Sequence, residues 1–242
     1  MWGFIKKVGR AIRDGIGGTV STLWNGLKWA IHRIFGIFEM IGSFFGFMPT
    51  KKLKVKVVIL LDAQKQPIAS RADVDKAVSL AKEVFKDQAH VRIISPTGPD
   101  ELIVGIHPEP APEFVMNPLC DGGGFGQVFT RVGRWFRRHS ARTHAGSYLG
   151  YGSPATIFVV NDVQNKNGCF IGVATDYGYI DGDALGRSEG VLLTLAHELG
   201  HACDLFRHKD RTLMESGPGT RSRRLTRRQR AIVRSSPRVT FR

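Results

Sequence analysis

Ser188-Glu189-Gly190-Val191-Leu192-Leu193-Thr194-Leu195-Ala196-His197-Glu198-Leu199-Gly200-His201-Ala202-Cys203-Asp204-Leu205-Phe206-Arg207-His208 reads as one amphipathic helix followed by a sharp stop. Ser188 suits an N-cap, and Glu189 places a negative charge in the first turn, where the helix dipole favours it. Leu192, Leu195, Ala196, Leu199, Ala202 and Cys203 form an apolar face directed at a core. His197 and His201 are one helical turn apart on the other face, so both imidazoles can reach a single ion. Glu198, one step round the helix, can reach water at that ion without ligating it.

Two histidines and an open water position require a third ligand. On an unbroken helix His208 would lie about 16 Å along the axis from His197, so the helix has to end soon after His201. Asp204 belongs to the few non-glycine residue types that accept a left-handed turn, and such a turn brings His208 within reach. Asp204 itself, as an acidic ligand, and the downstream Glu215 are the alternatives. Residues 145–215 hold nine acids against five Lys/Arg, a local acidity that suits a bound cation.

The chain here resembles the metzincin clan of zinc peptidases, whose motif is HExxHxxGxxH followed by a Met-turn. His197 and His201 match the first two zinc ligands, Glu198 the general base, and Met214, in Leu213-Met214-Glu215-Ser216-Gly217, the Met-turn. Asp204 stands where the family has Gly. Arg207 stands where it has its third His, with His208 one place later, as in a turn longer by one residue. No Tyr follows two residues after Met214, so the resemblance supplies no transition-state tyrosine. It implies an α+β fold: a twisted mixed sheet, an active-site helix and a small C-terminal subdomain. It also implies Zn²⁺ as cofactor, hydrolysis of a protein or peptide substrate, and substrate pairing along an edge strand.

Outward from the motif, residues 53–61 form an apolar, β-branched run typical of a buried strand, and residues 72–88 carry a helical apolar stripe. Strands are expected at 91–94, 102–106, 155–160 and, at an edge, 169–175. Asp176, Tyr177 and Tyr179 then fall in a solvated turn or shape the cleft. Residues 107–154, rich in Pro and Gly, read as an insertion with a basic helix near 128–138, and a last helix is expected over 225–234. Cys120 and Cys169 sit beside Gly-rich turns and can form one bridge in an oxidising compartment; three free thiols, Cys203 included, are the other reading.

Residues 51–242 thus make the catalytic domain, and residues 1–50 are different in kind. Apolar residues recur at three- and four-residue spacing from Trp2 to Phe45, broken near Gly15, Gly17 and Gly18 into two helices. The charges are too frequent for a signal peptide or a spanning helix, so an interfacial amphipathic hairpin is expected at a membrane surface, with packing on a partner helix as the alternative. A membrane-active or membrane-tethered, effector-like protein is accordingly the second functional reading, and the compartment stays open between membrane-associated and secreted. The net charge of +14 collects at the edges, with nine Arg and no acid in residues 216–242. That tail reads as solvated or as a docking segment for an acidic partner, and no specific nucleic-acid recognition is expected from it.

Overall fold

The computed structural model describes residues 49–98, 101–120, 129–141, 152–164, 166–170, 175–185, 188–217 and 221–241. The amphipathic segment expected over residues 1–48 lies outside them. The described part is an α+β unit with one seven-stranded mixed sheet and four α-helices. No helix among the described residues is long and apolar enough to cross a membrane.

The longest strand, β1 (Lys51–Leu61), is the axis of the sheet. It is followed by helix α1 (Arg71–Ala89), β2 (Val91–Ile94) and β3 (Val104–Pro110). Helix α2 (Arg131–His139), β4 (Ala155–Val160), β5 (Gly168–Phe170), β6 (Tyr177–Asp181), α3 (Glu189–Ala202), α4 (Arg227–Arg234) and β7 (Val239–Thr240) complete the chain. The main path runs β2-β1-β4-β6-β5; β3 also pairs with β1 in parallel and β7 in antiparallel fashion. Val57, Val58 and Ile59 are thereby flanked by β3 and by β4 at once, which explains why β1 reads as a continuous apolar run.

Alternation sorts the strand residues onto two cores. Val55, Val57 and Ile59 of β1, Ile157 and Val159 of β4 and Ile180 of β6 join α1 and α3 in one cluster. Val58, Leu60, Phe158, Val160, Tyr177 and Tyr179 point the other way and meet Phe136 of α2. Phe136 lies 4.9 Å from Phe158, 5.2 Å from Tyr179 and 5.6 Å from Tyr177, ring centre to ring centre. Thr130 caps α2 by accepting from the Gly133 amide at 3.1 Å.

Several expectations change. Residues 107–110 belong to β3, so the irregular segment starts later than 107, and the basic helix is confined to Arg131–His139. Tyr177 and Tyr179 occupy neither a turn nor the cleft: β6 is a fully buried strand between β4 and β5. Their hydroxyls donate to Gly133 O and Leu119 O, which lets two polar aromatics sit in a core. The edge strand expected over 169–175 is observed as Gly168–Phe170; residues 171–174 are outside the described part. Cys120 and Cys169 are joined by a disulfide, and Cys203 is a buried free thiol.

The arginine-rich C-terminal segment is not a solvated tail. Arg234 is completely buried, donating to Ala89 O at 2.8 Å and Pro49 O at 2.8 Å, while Lys51 Nζ donates to Arg234 O at 3.0 Å. The guanidinium neutralises the negative end of α1 and has carbonyl acceptors for its protons, the condition for burying a cation without a carboxylate. Arg238 binds Thr175 O at 2.7 Å and Asp176 at 2.9 Å, and β7 then pairs with β1.

Candidate metal centre

Helix α3 supplies the site. The Ser188 hydroxyl caps its start by accepting from the Val191 amide, and Leu193, Leu195, Ala196, Leu199 and Ala202 bury it in the core. Its end is a Schellman turn: the Leu205 amide donates to Gly200 O at 3.0 Å and the Asp204 amide to His201 O at 3.1 Å, with Asp204 left-handed at φ 69°. That position commonly takes glycine, and aspartate is one of the substitutes sterics allow. The turn folds the following chain back, and His208 comes up beside the helix.

His197, His201 and His208 converge, each offering one ring nitrogen within 4.8 Å of the others. The His197 and His208 rings stack at 5.3 Å, and His201 stands nearly perpendicular to both. His197 Nδ1 bonds Leu213 O at 2.8 Å and His201 Nδ1 bonds Leu205 O at 2.7 Å. A carbonyl only accepts, so each Nδ1 carries the proton and each Nε2 keeps its lone pair. Those two Nε2 atoms face each other at 3.1 Å. Two lone pairs at that distance repel unless a cation lies between them, and burial removes the easiest one, a proton. Burial, with Arg221 adding to it, pushes His197 down to about 2; burial, with His208 adding to it, pushes His201 down to about 4. His208, more open, is shifted down as well, again chiefly by burial. Three neutral imidazoles so arranged could hold a metal ion.

Neither alternative third ligand joins the cluster. Asp204 is buried in its turn, and the Glu215 carboxylate accepts from the Arg211 amide at 2.8 Å. Met214 lies under the site with no exposed surface. Its sulfur fills the space a side chain at position 200 would need: a Cβ on Gly200 would come within 2.5 Å of it. Gly200 therefore lets the Leu213-Met214 turn close on α3, and the same turn presents the Leu213 carbonyl to His197.

Glu198 is buried beside the histidines, and its Oε2 has no hydrogen-bond partner. Burial pushes its carboxyl up to about 8, against the opposing pull of Arg221, Lys166 and the Phe170 amide. Edge strand β5 presses on it; a Cβ on Gly168 would lie 2.9 Å from Glu198 Cγ. An unpartnered buried carboxylate oxygen costs free energy in any fold and is tolerated where a reacting group or a cation completes it.

The histidines and Glu198 open into a cleft of about 510 Å³, walled on one side by β5 and the Cys120–Cys169 bridge. Lys166, Ser216 and Arg221 also line it, and none of the three carries a sequence signal that singles it out. Arg221 was hidden inside the arginine run, yet Nη1 donates to Thr194 Oγ1 on α3 at 3.0 Å and Nε to Glu215 O at 3.2 Å. Of the nine acids in residues 145–215 only Glu198 lines the cleft, although Glu215 acts on Arg221 beside it. Asp176 pairs with Arg238, Glu189 with Arg223, and Asp181 accepts from the Ala184 amide, which leaves Glu198 as the acid in the lining. No family model and no curated protein matches this chain.

Proposed function

We propose that the chain is a zinc metallopeptidase of metzincin type, with His197, His201 and His208 holding the ion and Glu198 acting as general base. The carrying observation is the face-to-face approach of two Nε2 lone pairs at 3.1 Å beside a buried Glu198 oxygen that lacks a partner. A donor set of three neutral imidazoles fits zinc in its catalytic form, which keeps a position open, better than its structural form, which closes with four ligands rich in Cys. When bound, zinc supplies Lewis acidity, polarising a peptide carbonyl and lowering the pKa of water toward about 7.

The protein's own groups do the rest. Leu213 O and Leu205 O fix the tautomer and orientation of His197 and His201, so their Nε2 atoms stay ligating. Glu198 takes a proton from the attacking water and returns it to the leaving amine, a cycle that consumes no residue. Its raised pKa falls when a cation shares the cleft, which gives it the ionised form the first step requires. Strand β5, last in the strand order, offers backbone groups to an extended peptide laid across α3.

The test is a zinc titration of the full-length chain followed by a digest of a mixed peptide library. Wild type cleaves with one zinc bound; Glu198→Gln keeps the zinc and loses about 10²–10⁴-fold in rate. A zinc-loaded wild type inert towards every peptide, or a Glu198→Gln variant as fast as wild type, contradicts the assignment.

A further inference from the structure

The charges around the cleft point beyond peptide hydrolysis in general to a class of substrate. Glu198 is the acid in the lining, and it faces two cations, Arg221 and Lys166. Three other arginines of this chain meet carboxylates: Arg71 meets Asp75 at 3.5 Å, Arg238 meets Asp176 at 2.9 Å, and Arg223 meets Glu189 at 2.7 Å and Glu83 at 3.3 Å. Among the described residues no carboxylate lies within ion-pair distance of Arg221 or Lys166. Arg221 spends Nε and one Nη1 proton on Glu215 O and Thr194, which fixes the plane of the guanidinium and keeps Nη2 for another acceptor. Lys166 bonds Cys120 O at 2.8 Å from an exposed position. Arg221 lines the same cleft as Glu198 and the three histidines, so a group it holds shares that cleft with the reacting atoms.

Arg221 feels the charges of Glu198 and Glu215, yet among the described residues no carboxylate is in ion-pair contact with it. A half-buried guanidinium held rigidly by neutral acceptors in this way bears a desolvation cost that an incoming anion repays. A divalent ion on the histidines raises the positive charge of the cleft further. We infer that the cleft selects substrates bearing a carboxylate beside the bond presented to the metal, with Arg221 as its directional anchor and Lys166 as a longer-range attractor. The carboxylate comes from an acidic side chain or from the substrate's own C-terminus. What is cleaved rests on the metallopeptidase reading; the recognition does not, since it can be measured by binding.

The experiment uses the full chain with zinc in a Glu198→Gln background, so that no probe is consumed, and titrates four peptides of one length by calorimetry. Three are capped at both ends and carry Glu, Gln or Lys at the centre; the fourth has the central Gln and a free C-terminal carboxylate. One of the two anionic probes binds about tenfold or more tightly than the capped Gln peptide, the scale of one charge-assisted contact, and the Lys peptide binds weakest. Whichever anionic probe wins identifies the source of the carboxylate. Arg221→Gln brings the anionic and neutral probes to within about twofold. Lys166→Gln, a change at an exposed position, lowers the preference by a smaller step that vanishes at high salt. Equal affinity for anionic and neutral probes, no binding of any anionic probe, or a preference that survives Arg221→Gln overturns the inference. A wild type that binds acidic probes selectively yet hydrolyses nothing would instead remove the peptidase reading and leave the recognition standing.

Discussion

Two groups of histidines sit on opposite faces of the same sheet, and they differ in what surrounds them. On the second face His107 and His139 pack against Trp135, with ring centres at 5.3 Å and 4.1 Å, and each Nδ1 is bonded to a backbone carbonyl, Glu109 O for His107 and Trp135 O for His139. The hydrogen-bonding device is the one used by His197 and His201. The outcome is not, because the rings of His107 and His139 meet edge to face at 5.1 Å against an indole and do not belong to a metal-competent group. A carbonyl on Nδ1 orients a histidine; it becomes a candidate ligand only when its Nε2 converges with others on a space that holds a further unsatisfied group, here Glu198.

The largest expected effect breaks the convergence. His208→Ala should weaken zinc binding by more than about 100-fold, beyond the range for residues that only orient ligands, as measured by competition with a chromogenic chelator. Next is the support under α3. Gly200→Ala forces a Cβ into the Met214 sulfur and should cost about 1–3 kcal/mol in denaturant unfolding, as overpacked cores do. On the other face Tyr177→Phe removes the hydroxyl bond to Gly133 O and should cost about 1 kcal/mol at neutral pH. Burial raises the Tyr177 phenol above its ordinary value, so the folded state keeps a proton that the unfolded chain releases above about pH 10. Stability carried by that group is complete below pH 10 and falls as pH rises further; Tyr177→Phe should flatten that alkaline decline. The smallest effect sharpens the contrast itself: His139→Phe keeps an aromatic ring on Trp135 and should leave zinc content unchanged, with less than about 1 kcal/mol lost.

Much of this was legible in the residues, for identifiable reasons. The period-2 and period-3.6 patterns located β1, α1, β2, β4 and α3 to within a residue or two, because burial on one or both faces writes itself into composition. Helix geometry required a turn after His201 and made His208 reachable through a left-handed Asp204; the resemblance to the metzincin motif then singled out His208 over Asp204 and Glu215. What escaped was long-range. Tyr177-Gly178-Tyr179 looked solvated because its hydroxyl partners, Gly133 O and Leu119 O, are 44 and 60 residues away. Arg234 and Arg238 looked like tail charge because nothing local announces that Ala89, Pro49 and Asp176 wait for them. Arg221 was one arginine among nine until the fold set it over α3. Thr226 and Gln229, by contrast, form a capping box that the Thr-x-x-Gln spacing could have announced as the start of α4.

X-ray absorption at the zinc edge of the loaded, full-length chain tests the three-histidine centre most directly. The account predicts three imidazole nitrogens at about 2.0–2.1 Å with one further light ligand, and a spectrum that loses one imidazole in His208→Ala while staying unchanged in His107→Ala and Asp204→Gly. A sulfur in the first shell, or an imidazole count that does not respond to His208→Ala, would contradict it.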